Sequence, residues 1–94
     1  MSNKIDSTLS ERGSNYGTFE MNAEMAQELK SIVREYDSMY EDNNLRAIHK
    51  EAIDMIMHKI SRIVNGDPSY QDSWVDIQGY AKLAEEYNDG VVRT

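Results

Sequence analysis

Apolar residues recur along this chain at helical spacing, and no segment alternates with the period of two that marks a half-buried strand. Asn22, Ala26, Leu29, Val33, Tyr36 and Tyr40 form one stripe, widened by Met25 and Ile32, and predict a helix over residues 20–40. Leu45, Ile48, Ala52, Ile56, Ile60 and Ile63 form a second stripe over 45–65. Ile53, Met57 and Val64 add an apolar flank there, and Met55 a further point. So wide an apolar arc predicts a helix covered on more than one side, either the central helix or part of a subunit interface. A third helix is predicted over 72–87, with Trp74, Ile77, Ala81 and Ala84 in one stripe and Asp76, Tyr80, Leu83 and Tyr87 in the next.

The breaks between these stripes carry turn chemistry. Asp42-Asn43-Asn44 reads as a turn. Gly66 fits the position after a helix C-terminus and Pro68 blocks continuation. Asp72 suits an N-cap or a first-turn anion. Residues 1–18 are polar and read as an N-terminal arm. Thr8-x-x-Glu11 has the spacing of a capping box for a short helical turn, which Ile5 and Leu9 would dock on the body. Arg12 to Gly17 reads as a loop, with two glycines to supply tight-turn conformations. The expected organisation is an arm and loop over 1–18, a helical domain over 19–88 and a flexible tail over 89–94. The fold class is all-α: a three-helix bundle with an N-terminal arm.

Length and composition sharpen this outline. A chain of 94 residues makes one domain. Such a domain buries only about 60–65% of its unfolded surface, which favours self-association through one of the first two predicted helices. The absence of cysteine excludes a disulfide framework and a thiolate metal site and fits a reducing cytosol. No apolar run approaches the roughly 20 residues of a membrane span, and MSNKIDSTLSERG lacks the apolar core of a signal peptide. The expected location is therefore cytoplasmic. A net charge of −7 disfavours bulk nucleic-acid or anionic-membrane binding. It leaves room for a small anion held by a few local cations.

Those cations fall in the most detailed stretch of the chain, residues 58–83. Lys59 and Arg62 sit three apart near the end of the second predicted helix, and Asp72 and Asp76 sit four apart at the start of the third, with Trp74 and Tyr80 beside them. Cations near a helix C-terminus are favourable in themselves. A short turn would also let the four charges pair with one another. The alternative is that a cation stays available to hold a phosphate, arginine bidentately or lysine as a point charge. Arg12, Tyr16 and Gly17 repeat the combination of a cation, an aromatic ring and a glycine, which can serve a phosphate and a stacked base or simply anchor the arm. Gly79 inside a helix costs about 1 kcal/mol relative to alanine and suggests a close neighbour. Asp72 and Asp76, with Glu51 and Asp54, have the type and spacing to chelate Mg²⁺ through oxygen. Helical carboxylates of this type serve all-α nucleotide pyrophosphohydrolases, but the adjacent double glutamate of their pattern is absent before Glu51, where Lys50 stands. His49 and His58, nine apart, do not make a metal pair, and no phosphate-binding glycine loop is present.

Arg12-Gly13-x-x-Tyr16-Gly17, Lys59-Ile60-x-Arg62, Gly66-Asp67 and Asp72-x-Trp74-x-Asp76-Ile77-x-Gly79-Tyr80-Ala81 together resemble a family of small phage and prophage proteins of unassigned function. That family is distantly similar to domains labelled as nucleotide-modification associated. The resemblance spans about residues 11–84 and implies a viral, all-α protein of the host cytoplasm, without implying a reaction.

The expected function is binding of a phosphorylated nucleotide-like ligand, in a phage setting to sequester a host defence signal. Arg12, Lys59 and Arg62 would neutralise phosphate. Tyr16, Trp74 or Tyr80 would stack on a base, and Asp72 and Asp76 would orient the cations or accept hydrogen bonds. No cofactor is expected for binding. One alternative is a Mg²⁺-dependent nucleotide hydrolase or modification enzyme using Glu51, Asp54, Asp72 and Asp76. Another is an acidic protein that blocks a host enzyme by contact through residues such as Glu24 and Glu28.

Overall fold

The computed structural model describes residues 3–39 and 44–91, without the side chains of Asn3, Lys4, Ser7 and Arg12. The described residues form four helices and no strand: α1 (Asn3–Tyr16), α2 (Phe19–Met39), α3 (Ala47–Asn65) and α4 (Gln71–Asn88). The three predicted helices are present within two residues of their expected ends where those ends are described. Tyr40 and the Asp42-Asn43 part of the expected turn lie outside the described residues.

The correction is at the N-terminus, where a fourth helix replaces the expected arm and loop. Thr8 and Glu11 lie inside α1 rather than at its start, and Arg12 to Tyr16 continue it. Gly17 ends it: its N–H donates to the Gly13 carbonyl at 3.0 Å, and its φ of +81° is the left-handed conformation of a helix-terminating glycine. Thr18 then caps α2, its Oγ1 accepting the Met21 N–H at 3.2 Å. Ile5 and Leu9 do not dock as expected; both side chains are largely exposed.

α3 is central. α2 and α4 each pack along it and make at most marginal contact with one another. α2, α3 and α4 thus lie side by side in a layer, with α1 touching α3 at its C-terminal end. The wide apolar arc of α3 follows from this placement, because one helix must satisfy neighbours on two sides. Among the described residues the buried apolar side chains are only Ala26, Ala52 and Met57. Buried Ser61 and Ser73 are small enough to let backbones approach, and the Ser61 hydroxyl donates to the His58 carbonyl at 2.6 Å. His49 ties the far end together. Its Nδ1 accepts the Arg46 N–H at 3.0 Å, so its Nε2 carries the proton and faces Asn88 Oδ1 at 2.7 Å.

Candidate functional site

Two tight turns meet at one end of the layer, and several of the motif residues meet there with them. Gly17, between α1 and α2, and Gly66, between α3 and α4, cross at backbone contact. A β-carbon on Gly66 would lie 2.5 Å from the Asn15 carbonyl oxygen and 2.7 Å from the Gly17 nitrogen. One on Gly17 would lie 2.5 Å from the Asn65 carbonyl oxygen. The Asp67 N–H donates to the Asn15 carbonyl at 2.9 Å and binds the two turns directly. Asp67 also shapes its own turn, accepting the Ser69 N–H on Oδ1 at 2.9 Å and the Tyr70 N–H on its carbonyl at 3.0 Å.

Two asparagines brace the crossing from below. Asn22, buried in α2, donates from Nδ2 to the Tyr16 carbonyl at 2.7 Å, and its Oδ1 accepts from Asn65 Nδ2 at 3.2 Å. This explains an asparagine in the middle of an apolar stripe: it supplies a donor to a carbonyl that the end of α1 leaves without an intrahelical partner. Nothing in the sequence marks Asn65 and Thr18 beyond their positions next to Gly66 and Gly17.

Above the crossing lies an aromatic and charged cluster. The Arg62 guanidinium sits over the Tyr16 ring, 4.7 Å from its centroid. Tyr16 meets Tyr70 edge-on at 5.3 Å and donates its hydroxyl to Asp72 Oδ2 at 3.3 Å. Hydrogen bonding to Tyr16 and Asp72, with the Asp72 charge adding to it, pushes the Tyr70 phenol up to about 12. Burial lowers the His58 pKa below its usual range, helped by the positive charges of Arg62, Lys59 and Lys30, so the imidazole is held neutral among cations.

Arg62 and Tyr16 also line a half-open cavity of about 400 Å³, bordered by Leu9, Gly17, Phe19 and Asn22. That volume lies within the range of small-ligand sites. The start of α2 borders it, so the positive end of that helix dipole and the guanidinium face the same space.

The structure therefore divides the eight expected site residues. Tyr16, Arg62 and Asp72 are brought together. Lys59 is not available in the same way: it is only 8% exposed, and its Nζ pairs with Asp76 Oδ2 at 3.2 Å. The four charges thus do not form two matching pairs; one pair forms, and Arg62 turns to an aromatic ring instead. Trp74 donates its indole N–H to the Pro68 carbonyl at 2.8 Å. It lies about 160° around α4 from Asp72 at 100° per residue, on the side away from the cluster. Tyr80 and Asp76 border a separate groove along α4 with Val75, Gly79 and Leu83. The Arg12 side chain lies outside the described residues. The close neighbour expected at Gly79 is missing, since a β-carbon there meets nothing within 4 Å among the described residues.

The four carboxylates of the enzymatic alternative do not converge. Asp54 borders a pocket between α2 and α3 with Arg34, Asp37 and Lys50, whereas Asp72 and Asp76 sit on α4. Among the described residues no three His, Asp or Glu side chains gather closely enough to hold a metal ion. No helix among them is long and apolar enough to cross a membrane.

A family model described as a domain of unknown function (DUF6378) matches residues 3–88, which takes in all four helices. No curated protein and no solved structure matches the chain.

Proposed function

The chain belongs to the DUF6378 family, and we propose that it binds a phosphorylated nucleotide-like ligand in the cavity bordered by Tyr16 and Arg62. The observation that carries the proposal is the cavity itself, with a guanidinium, an aromatic ring and the start of α2 at one space of ligand size. Arg62 is the phosphate partner in this scheme, exchanging its contact with the Tyr16 face for a bidentate one. Tyr16, freed from the guanidinium, offers its ring to a base. Asp72 holds the Tyr16 hydroxyl and so fixes the ring plane.

Lys59 and Asp76 take a supporting role, since their pairing anchors α4 to α3 beside the site. Trp74 is left out of the pocket by its position around α4, and Tyr80 by lying about 12 Å further along it than Asp72, at the separate groove. The biological setting we propose is a phage protein in the host cytoplasm that sequesters a defence nucleotide, with a homo-oligomer as the working form. Its support is the motif resemblance.

Calorimetric titration with a nucleotide panel that includes cyclic dinucleotides and ADP-ribose derivatives tests the proposal. Binding of at least one member at micromolar concentration is expected. Ligand recovered intact after heat denaturation of the complex would support sequestration, and turnover abolished by EDTA would support the hydrolase instead.

A further inference from the structure

We propose that the face formed by α2 and the open side of α3 is covered by a second copy of this chain. This takes up the homo-oligomer of the proposed function but not its ligand. The first observation is the single layer. α2 and α4 flank α3 without closing around it, so among the described residues one side of the central helix has no helix over it. Ile53, Met57, Ile60 and Val64 lie on that side within an arc of about 60° at 100° per residue. Met57 is buried in the middle of this ridge, whereas Val64 at its end is 62% exposed.

The second observation is on α2. The side chains that turn toward α3 include Asn22 and Ala26. A separate apolar stripe, Met21, Met25, Ile32, Tyr36 and Met39, fits another arc of about 60° and follows a spacing of three, four and seven. Ile32 is 54% exposed, and Met21, Tyr36 and Met39 are also exposed. In a right-handed helix running antiparallel to α3, this arc faces the same side of the layer as Ile53, Ile60 and Val64. Two adjacent helices thus present parallel ridges of the kind that interlock with facing helices.

The third observation is area. The chain exposes 7122 Å², against about 5,500 Å² for a compact monomer of its mass. Its radius of gyration is 15.8 Å, against about 12 Å for a compact domain of this length. The surplus of about 1,600 Å² is spread over the whole elongated chain, α1 included, and leaves room for the roughly 800 Å² that each partner contributes to an interface of standard size. A second copy offers the matching ridges, and a two-fold arrangement turns two open layers into one two-layer core.

Arg62 and Val64 are about 160° apart around α3, so the dimer leaves the Tyr16–Arg62 cavity open. A chain that dimerises but binds no nucleotide would sink the ligand proposal and leave this one standing.

Sedimentation equilibrium on the full chain tests the inference, with twice the 10.8 kDa chain mass expected at about 50 μM. Ile32→Glu and Val64→Glu should each shift that mass toward the monomer, while Val75→Glu and Leu83→Glu on α4 should not. A second measurement covers the case in which the α2–α3 variants unfold. The chain has no cysteine, so Ile32→Cys and Val64→Cys each introduce a single thiol. At least one of the two, the one nearer the two-fold axis, should give covalent dimers with a short bismaleimide, and Val75→Cys and Leu83→Cys should not. A monomeric wild type, or dimers captured through α4 alone, would overturn the proposal.

Discussion

Gly66→Ala isolates the crossing of the two turns. The added methyl would start 2.5 Å from the Asn15 carbonyl oxygen, 2.5 Å from the Tyr16 carbonyl carbon and 2.7 Å from the Gly17 nitrogen. All three are backbone atoms and cannot swing aside as a flexible side chain would. Ordinary contact requires the turns to part by about 0.7–0.9 Å, which stretches the 2.9 Å hydrogen bond from the Asp67 N–H to the Asn15 carbonyl. Overpacking of this kind costs about 1–3 kcal/mol, and the lost hydrogen bond adds about 1 kcal/mol. Reduced freedom of the unfolded chain returns about 0.4–1 kcal/mol. The net is a destabilisation of about 2–3 kcal/mol, or a Tm lower by about 10–20 °C for a domain of this size. Gly79→Ala is the internal comparison. Its new methyl meets nothing within 4 Å, so helix propensity alone acts, and the variant should gain about 1 kcal/mol. Thermal melts followed by far-UV circular dichroism, at one fixed protein concentration, read both. A Gly66→Ala protein that melts with the wild type would refute the crossing, and a destabilised Gly79→Ala would show that something packs on α4.

The Lys59–Asp76 pair is asymmetric, because Lys59 is nearly buried and the Asp76 side chain is 47% exposed. Asp76→Asn should therefore cost about 1–2 kcal/mol in urea unfolding, by leaving an ammonium without its counter-charge, and Lys59→Met should cost less than about 1 kcal/mol; the reverse order would contradict the pairing. His49→Ala removes the acceptor for the Arg46 N–H and the link to Asn88 and should cost about 1–2 kcal/mol, read by the same urea series, with an unchanged midpoint counting against the cap. The folded state holds His58 below the ordinary histidine value of 6.5. The unfolded chain thus takes up this proton first on acidification, so the contribution of His58 is present above pH 6.5 and lost as pH falls through the lowered folded value. His58→Gln should flatten that acid limb of the stability curve. Tyr70 is raised to about 12; its contribution is present below pH 10 and lost as pH rises toward 12, and the difference in 295 nm absorbance titration between wild type and Tyr70→Phe should show one late phenol.

How much of this was legible depends on the range of the interactions involved. The three long helices follow from local periodicity and from Gly66 and Pro68, which act within a few residues. The first helix was missed because Asn3–Tyr16 has a weak apolar stripe, little beyond Ile5 and Leu9, and an internal Gly13. Its end is set by Gly17, whose left-handed φ serves a helix cap as well as a loop. The pairing of Lys59 with Asp76 was among the alternatives, since a short turn makes α3 and α4 antiparallel. The partner of Arg62 was not, because Tyr16 is forty-six positions away and reaches it only through the crossing of Gly17 and Gly66. The motif Arg12-Gly13-x-x-Tyr16-Gly17 thus reads differently in the fold: its second glycine and Gly66 serve a backbone crossing, and Tyr16 alone of its side chains is described at the cavity.

The most direct test of the ligand proposal is amide and side-chain NMR shift mapping with the panel member that binds best, run on wild type and on Arg62→Ala. Shifts concentrated at Tyr16, Gly17, Thr18, Asn22 and Arg62 are expected, with affinity reduced tenfold or more in a variant that keeps its helical spectrum. Shifts centred on α4 around Gly79 and Tyr80, or no panel member binding at high micromolar concentration, would contradict it.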